Sequence, residues 1–163
     1  MIRRVAITPT PPPDAALVQA LKGRLDTAAQ ARLGRSLALR HVDAGSCGGC
    51  ELELRAAAGA VHDLARLGLR FVASPRHADV LLLTGPLTGA MREAVERTWD
   101  AMSDPKWVVA VGDCAVDGGA FRGSYAVLGG VDTLLPVDLA IRGCPPSPLQ
   151  ILAALAALVE ANA

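Results

Sequence analysis

Aromatic side chains are almost missing from this sequence: two Phe, two Trp and one Tyr among 163 residues, or 3%. Any core must therefore be built from Leu, Val, Ala and Ile, and the 52% hydrophobic content is ample for that. The same shortage removes the stacking surfaces that hold single-stranded nucleic acid. No basic patch interleaved with aromatics replaces them, so nucleic acid is not expected as a partner. Long apolar runs are missing too: none reaches the about 18 residues that a membrane-spanning helix needs. The first residues carry Arg3 and Arg4 but run straight into Thr10-Pro11-Pro12-Pro13, without the apolar stretch of an export signal. The chain is expected inside the cell. No Ser/His/Asp arrangement can be argued, and the glycine-rich loops fit neither a P-loop nor a dinucleotide fingerprint. His41 falls in a strand, His62 on the polar side of a helix and His77 in a loop. All three are weak signals.

Net charge is also absent overall, but its distribution is uneven. Residues 1–40 hold seven basic side chains against two acidic ones, a net of +5, and the remaining residues hold nine against fourteen, a net of −5. Residues 1–36 read as a proline-rich lead followed by a basic helix over 14–33, with Leu17, Leu21, Leu25 and Ala28 or Ala29 at helical spacing. This segment is expected to act as a docking arm for protein rather than lipid. A plain solvated face is the alternative.

From residue 37 to 163 apolar strands alternate with helical patterns. Strands are expected at Leu37–Asp43, Leu69–Ala73, Asp79–Thr84, Trp107–Val111 and within Leu134–Ile141. Helices are expected at Glu51–Leu67, with Leu52, Ala56, Ala60, Leu64 and Leu67 on the buried face, at Ala90–Met102 and at Leu149–Glu160. Residues 85–89 and 112–119 read as loops, and 120–133 as irregular. Alternation of this kind gives an α/β fold, a parallel sheet with helices on both faces.

Cysteine is scarce, and its placement is the most informative feature. Cys47 and Cys50 form a C-x-x-C, while Cys114 and Cys144 stand alone downstream. Each lies in a glycine- or proline-rich loop after an expected strand, at the carboxyl edge where such sheets bind ligands. Four thiolates at one point suit an iron–sulfur cluster or zinc. The helix start after Cys47 favours thiolate over thiol, and Gly48 and Gly49 let backbone approach a bulky group. Four separate core cysteines, or a redox pair formed by Cys47 and Cys50 alone, account less well for the loop placement and for Cys114 and Cys144. Structural zinc is the serious rival. Zinc modules usually supply close pairs of ligands and fold around the metal. One pair and two distant singles on a self-sufficient sheet fit a cluster better.

The motifs Ser46-Cys47-Gly48-Gly49-Cys50-Glu51, Ser74-Pro75-Arg76-His77-Ala78-Asp79, Thr84-Gly85-Pro86, Gly112-Asp113-Cys114, Gly118-Gly119 and Gly143-Cys144-Pro145-Pro146, in this order, resemble the small cluster-bearing subunit shared by respiratory complex I and membrane-bound nickel–iron hydrogenases. The separated Cys47 and Cys50, where complex I has adjacent cysteines, resemble the energy-converting, formate hydrogenlyase-like branch. The resemblance implies a flavodoxin-like domain over residues 37–163 with one 4Fe-4S cluster on Cys47, Cys50, Cys114 and Cys144. It implies an electron-transfer subunit of a multisubunit oxidoreductase, with no complete active site on this chain. The implied partners are a catalytic large subunit holding nickel and iron, a further iron–sulfur subunit and membrane subunits. The implied location is peripheral, on the cytoplasmic side of the membrane. A quinone-reducing or nickel-free relative is the alternative. In the family the residues before Gly143 are usually aromatic and apolar with a proline, whereas here Ala140-Ile141-Arg142 stands, and the Arg142 charge near Cys144 is expected to raise the cluster's potential relative to Arg142→Pro. Glu51 and Glu53, at a helix start, are expected to stabilise the helix dipole more than to move protons.

Overall fold

Val80–Thr84 and Trp107–Val111 are apolar at nearly every position, and both are strands buried along their whole length. Such runs sit in the middle of parallel sheets, where both faces are covered. In the computed structural model of the chain, the described residues are 36–161 together with 16, 19 and 20. Residues 16, 19 and 20 are helical and exposed. The rest of the expected lead and basic arm lies outside the described residues.

The elements run β1 (Leu37–Asp43), α1 (Gly49–Ala58), β2 (Leu69–Phe71), β3 (Val80–Thr84), β4 (Leu87–Thr88), α2 (Arg92–Asp100), β5 (Trp107–Val111), α3 (Asp113–Asp117), β6 (Val127–Gly129), β7 (Leu139–Ile141) and α4 (Pro148–Ala161). The main sheet has the order β2-β1-β3-β5-β7, and every pairing in it is parallel. This is the flavodoxin-like order, with its topological switch point between β1 and β3. The expected α/β class is thus the observed one.

Strand alternation sorts the core into two layers. Leu37, Leu39, Val80, Leu82, Trp107 and Val109 face α1 and α4, meeting Leu54, Ala57, Ile151, Leu152 and Leu155. Val42, Leu81, Leu83, Val108 and Ala110 face the other way, onto Val95 of α2 and Ala115 of α3. Two carboxylates finish the ladder where strands begin. Asp79 accepts the Ala38 amide at 2.8 Å, and Asp138 accepts the Val108 amide at 2.7 Å.

Four expectations need correction. The helix expected over 51–67 starts at Gly49 and ends at Ala58, and an extended Gly59 breaks it. Leu64–Leu67 is a separate 3-10 turn. Leu64 is buried there as expected, but within the helix the buried face differs: Leu54 and Ala57 are inside, while Leu52 is 63% exposed. Cys50 packs against the same core layer, so the inward face reads Cys50, Leu54, Ala57, at helical spacing. The thiol loop sets the phase of the helix. The stretch 112–119 contains α3, and 120–133 contains β6, which pairs antiparallel with β4 in a small second sheet. Strands of two and three residues are too short to show an alternation in sequence.

Candidate metal centre

The loop after β1 is shaped by Asp43, whose Oδ1 accepts the amides of Gly45 at 2.7 Å and Ser46 at 2.6 Å. Ser46 Oγ then accepts the Gly48 amide at 3.1 Å. These turns deliver Cys47 to the surface and Cys50 into the first turn of α1. The loop after β5 is fastened to the loop after β7 by backbone. The Gly112 amide donates to Ile141 O at 2.8 Å and the Asp113 amide to Gly143 O at 2.9 Å. Asp113 Oδ1 accepts the Gly143 amide in return at 3.1 Å. Cys114 and Cys144 are therefore carried by two loops sewn together at their base.

Glycine makes the close approach feasible. Gly112 has φ +89°, and a Cβ there would lie 2.5 Å from Cys50 Sγ. A Cβ on Gly119 would lie 2.8 Å from Cys114 Sγ. The sulfurs occupy space that any other residue would fill.

All four cysteines are free; Cys47 and Cys144 are exposed, and Cys50 and Cys114 are half-buried. They act on one another. Burial pushes the Cys50 thiol up to about 12, and Glu51, Cys114, Cys47 and Cys144 add to the effect. Burial raises Cys114 as well, against a lowering hydrogen bond from the Ala120 backbone, with Cys144, Cys47 and Asp113 adding. At Cys50 this reverses the expectation that the helix start favours thiolate: desolvation and neighbouring negative charge prevail. A cationic group bound among these sulfurs would turn the balance back. Among the described residues, no three His, Cys, Asp or Glu side chains are placed to hold a single metal ion. Cys50 and Cys114 each feel the charge of the other cysteines. Their chemistry and the glycine-lined space fit a larger, sulfur-bridged group.

Arg142 does not stand as a lone positive charge. Its Nη1 is 2.6 Å from Asp117 Oδ2 and 3.8 Å from Asp113 Oδ1. The Arg142 guanidinium, helped by the Gly119 amide, holds the Asp117 carboxyl at about 2.

Glu51 is tied down inside. The Thr84 hydroxyl donates to Glu51 Oε1, which leaves Thr84 Oγ1 to accept from His41 Nε2 at 2.9 Å. His41 Nε2 is itself 3.7 Å from Glu51 Oε1, and Glu51 Oε2 is buried without a hydrogen-bond partner. Glu53 sits half-buried on the same helix. Sequence reasoning missed the His41–Thr84–Glu51 group. The available signal was three polar residues at the carboxyl ends of β1 and β3 and at the start of α1. An open cavity of about 240 Å³ lies beside it, lined by His41, Glu51, Leu54, Arg55, Ala58 and Phe71. His62 Nδ1 has a local partner in the Ala56 carbonyl at 3.2 Å, and His77 closes a short 3-10 turn.

A doubly wound parallel sheet with four free cysteines at its carboxyl edge defines an α/β domain of flavodoxin-like order. The chain belongs to the family described as NADH ubiquinone oxidoreductase, 20 Kd subunit, whose profile matches residues 47–158. It is 45% identical over 121 residues to formate hydrogenlyase subunit 7 of Escherichia coli, covering 74% of this chain and 48% of that protein. It is 47% identical over 112 residues to an NADH-quinone oxidoreductase subunit of Clostridium beijerinckii, covering 68% of this chain and 66% of that protein. The chain thus spans about half the length of the first relative and just under two thirds of the second. Among solved structures it is similar to a chain of the membrane-bound sulfane sulfur reductase, an archaeal respiratory membrane complex. The TM-score is 0.69 and the identity 30%, over 85% of this chain and 76% of that one.

Proposed function

We propose that this chain is an electron-transfer subunit carrying one 4Fe-4S cluster on Cys47, Cys50, Cys114 and Cys144. The cluster relays electrons to or from the catalytic large subunit of a membrane-bound hydrogenase complex. The observation that carries this reading is four free cysteines on segments at one edge of the sheet, with Gly112 leaving room for Cys50 Sγ and Gly119 for Cys114 Sγ. When bound, the cluster supplies a one-electron couple. Every other task belongs to the chain. The four cysteines hold the group. The backbone bonds between residues 112–113 and 141–143 keep two of the loops in register. Burial of Cys50 keeps water from one side, and the exposed Cys47 and Cys144 mark the side that a partner covers.

The hydrogenase branch is favoured by the spaced Cys47 and Cys50. The partners are then a nickel–iron large subunit, a second iron–sulfur subunit and membrane subunits. The chain sits on the cytoplasmic side of the membrane, held by them. Among the described residues no helix is long and apolar enough to cross a membrane, in keeping with peripheral attachment. Residues 1–36 form the docking arm and residues 37–163 the cluster-bearing domain. Likeness to an NADH-quinone oxidoreductase subunit supports a second reading, a complex I-like quinone-reducing or nickel-free oxidoreductase.

The test is the metal content of the complex isolated anaerobically through a tag on this chain. Iron with nickel supports the hydrogenase reading. Iron without nickel moves it to the nickel-free or quinone-reducing relative. Zinc with little iron leaves a structural zinc module and ends the electron-transfer role.

A further inference from the structure

Asp117 joins three pieces of chain at the cysteine edge. Its Oδ2 accepts from Arg142 Nη1 at 2.6 Å, and its Oδ1 lies 2.9 Å from Arg122 Nη2 and accepts the Gly119 amide at 3.0 Å. Arg122 Nε also donates to the Asp117 carbonyl oxygen at 2.9 Å. Arg142 leans toward Asp113 as well, at 3.8 Å. Asp117 follows Cys114 by one helical turn within α3, and Arg142 stands two residues before Cys144. The contacts lie outward of the backbone bonds that sew the two loops at their base.

We propose that Asp117 and Arg142 are positioning residues. Their pair is a clasp that locks the loop carrying Cys114 to the loop carrying Cys144 and sets the charge felt by those two sulfurs. This inference rests on the cluster reading above. A lone exposed ion pair contributes little, because water and salt screen it. Here one carboxylate is shared by two guanidiniums and a backbone amide, and networks of this kind hold geometry better than single pairs. The charge effect has a definite sign. Without Arg142, Asp113, whose charge acts on Cys114, and the neighbouring Asp117 are less compensated, the added electron is disfavoured, and the potential falls. Without the Asp117 charge, Arg122 and Arg142 are left in excess and the potential rises.

The test compares Arg142→Ala, Asp117→Asn and the double variant, each in the full complex isolated anaerobically. Three quantities are read: midpoint potential, the rate of chelator-driven iron loss, and amide-exchange protection at Gly119 and Gly143. The clasp predicts a lower potential in Arg142→Ala and a higher one in Asp117→Asn. Each single variant should lose iron about threefold faster, the scale of an exposed pair's coupling, and the double variant no faster than the faster single. Unchanged rates, rates that multiply in the double variant, or an unchanged or raised potential in Arg142→Ala overturns the proposal. If the parent complex holds no iron, amide exchange decides. Protection lost in each single variant and not further in the double keeps the clasp while the cluster reading fails. Protection unchanged in all three removes both.

Discussion

Cys50 Sγ rests where a side chain on residue 112 would begin, so the chemistry of this edge depends on one missing methyl group. Gly112→Ala would force both a left-handed backbone and a 2.5 Å overlap with that sulfur. We expect a cost of about 1–3 kcal/mol from the backbone alone, with iron lost from the isolated complex. Denaturant unfolding and iron content check the two effects separately. Full iron content in the variant would show that the loops have slack. His41 gives a pH dependence. Burial lowers its pKa from the usual 6.5, with Arg40 assisting and Glu51 and Asp43 opposing. A His with a depressed folded-state pKa binds its proton more readily when unfolded. Its contribution is therefore present above about pH 6.5 and is lost as pH falls through the folded value. Denaturant midpoints taken from pH 7.5 down to 5 should fall, and His41→Asn should flatten the part of that fall below pH 6.5. An identical slope in the variant would place the titration elsewhere.

At the scale of elements, α1 shows how a ligand loop sets the packing of a helix. Its sequence holds leucines at 52 and 54, and apolar periodicity alone admits either as the inward face. Cys50 decides: it enters the core layer in the first turn, and Leu54 and Ala57 follow it in phase. Leu54→Ala should cost about 2–5 kcal/mol. Leu52→Gln, at an exposed position, should stay within about 0.5 kcal/mol of the parent. Thermal or denaturant unfolding of the two variants reads the phase directly, and equal losses would contradict it. The five strands of the main sheet were legible because their apolar runs are bounded by Gly, Pro and Asp. β4 and β6 were not legible, since their pairing is set by tertiary contact between short segments far apart in sequence. The cysteine loops were legible for the same reason as the strands that precede them. The Asp117–Arg142 pair was not, because nothing local says that residues 25 apart share a hydrogen bond.

At the scale of the whole molecule, the flavodoxin-like order places the segments after β1, β5 and β7 on one rim, which carries four free cysteines from distant stretches. The sheet's two core layers lie behind that rim and contain only Cys50 among the candidate ligands. Loss of a ligand should therefore empty the edge without melting the sheet, which sets this domain apart from modules that fold around zinc. Under the proposed electron-transfer role, the basic stretch within residues 1–40 and the exposed Cys47 and Cys144 are the parts that partners would cover. The most direct measurement is low-temperature electron paramagnetic resonance of the anaerobically reduced complex, parent against Cys114→Ser, with circular dichroism of the isolated chain alongside. A 4Fe-4S signal present in the parent and lost or reshaped in the variant, with helix and strand content retained, is the predicted result. The same signal in both complexes, or none in a parent that holds zinc, would contradict ligation of a cluster by these four cysteines.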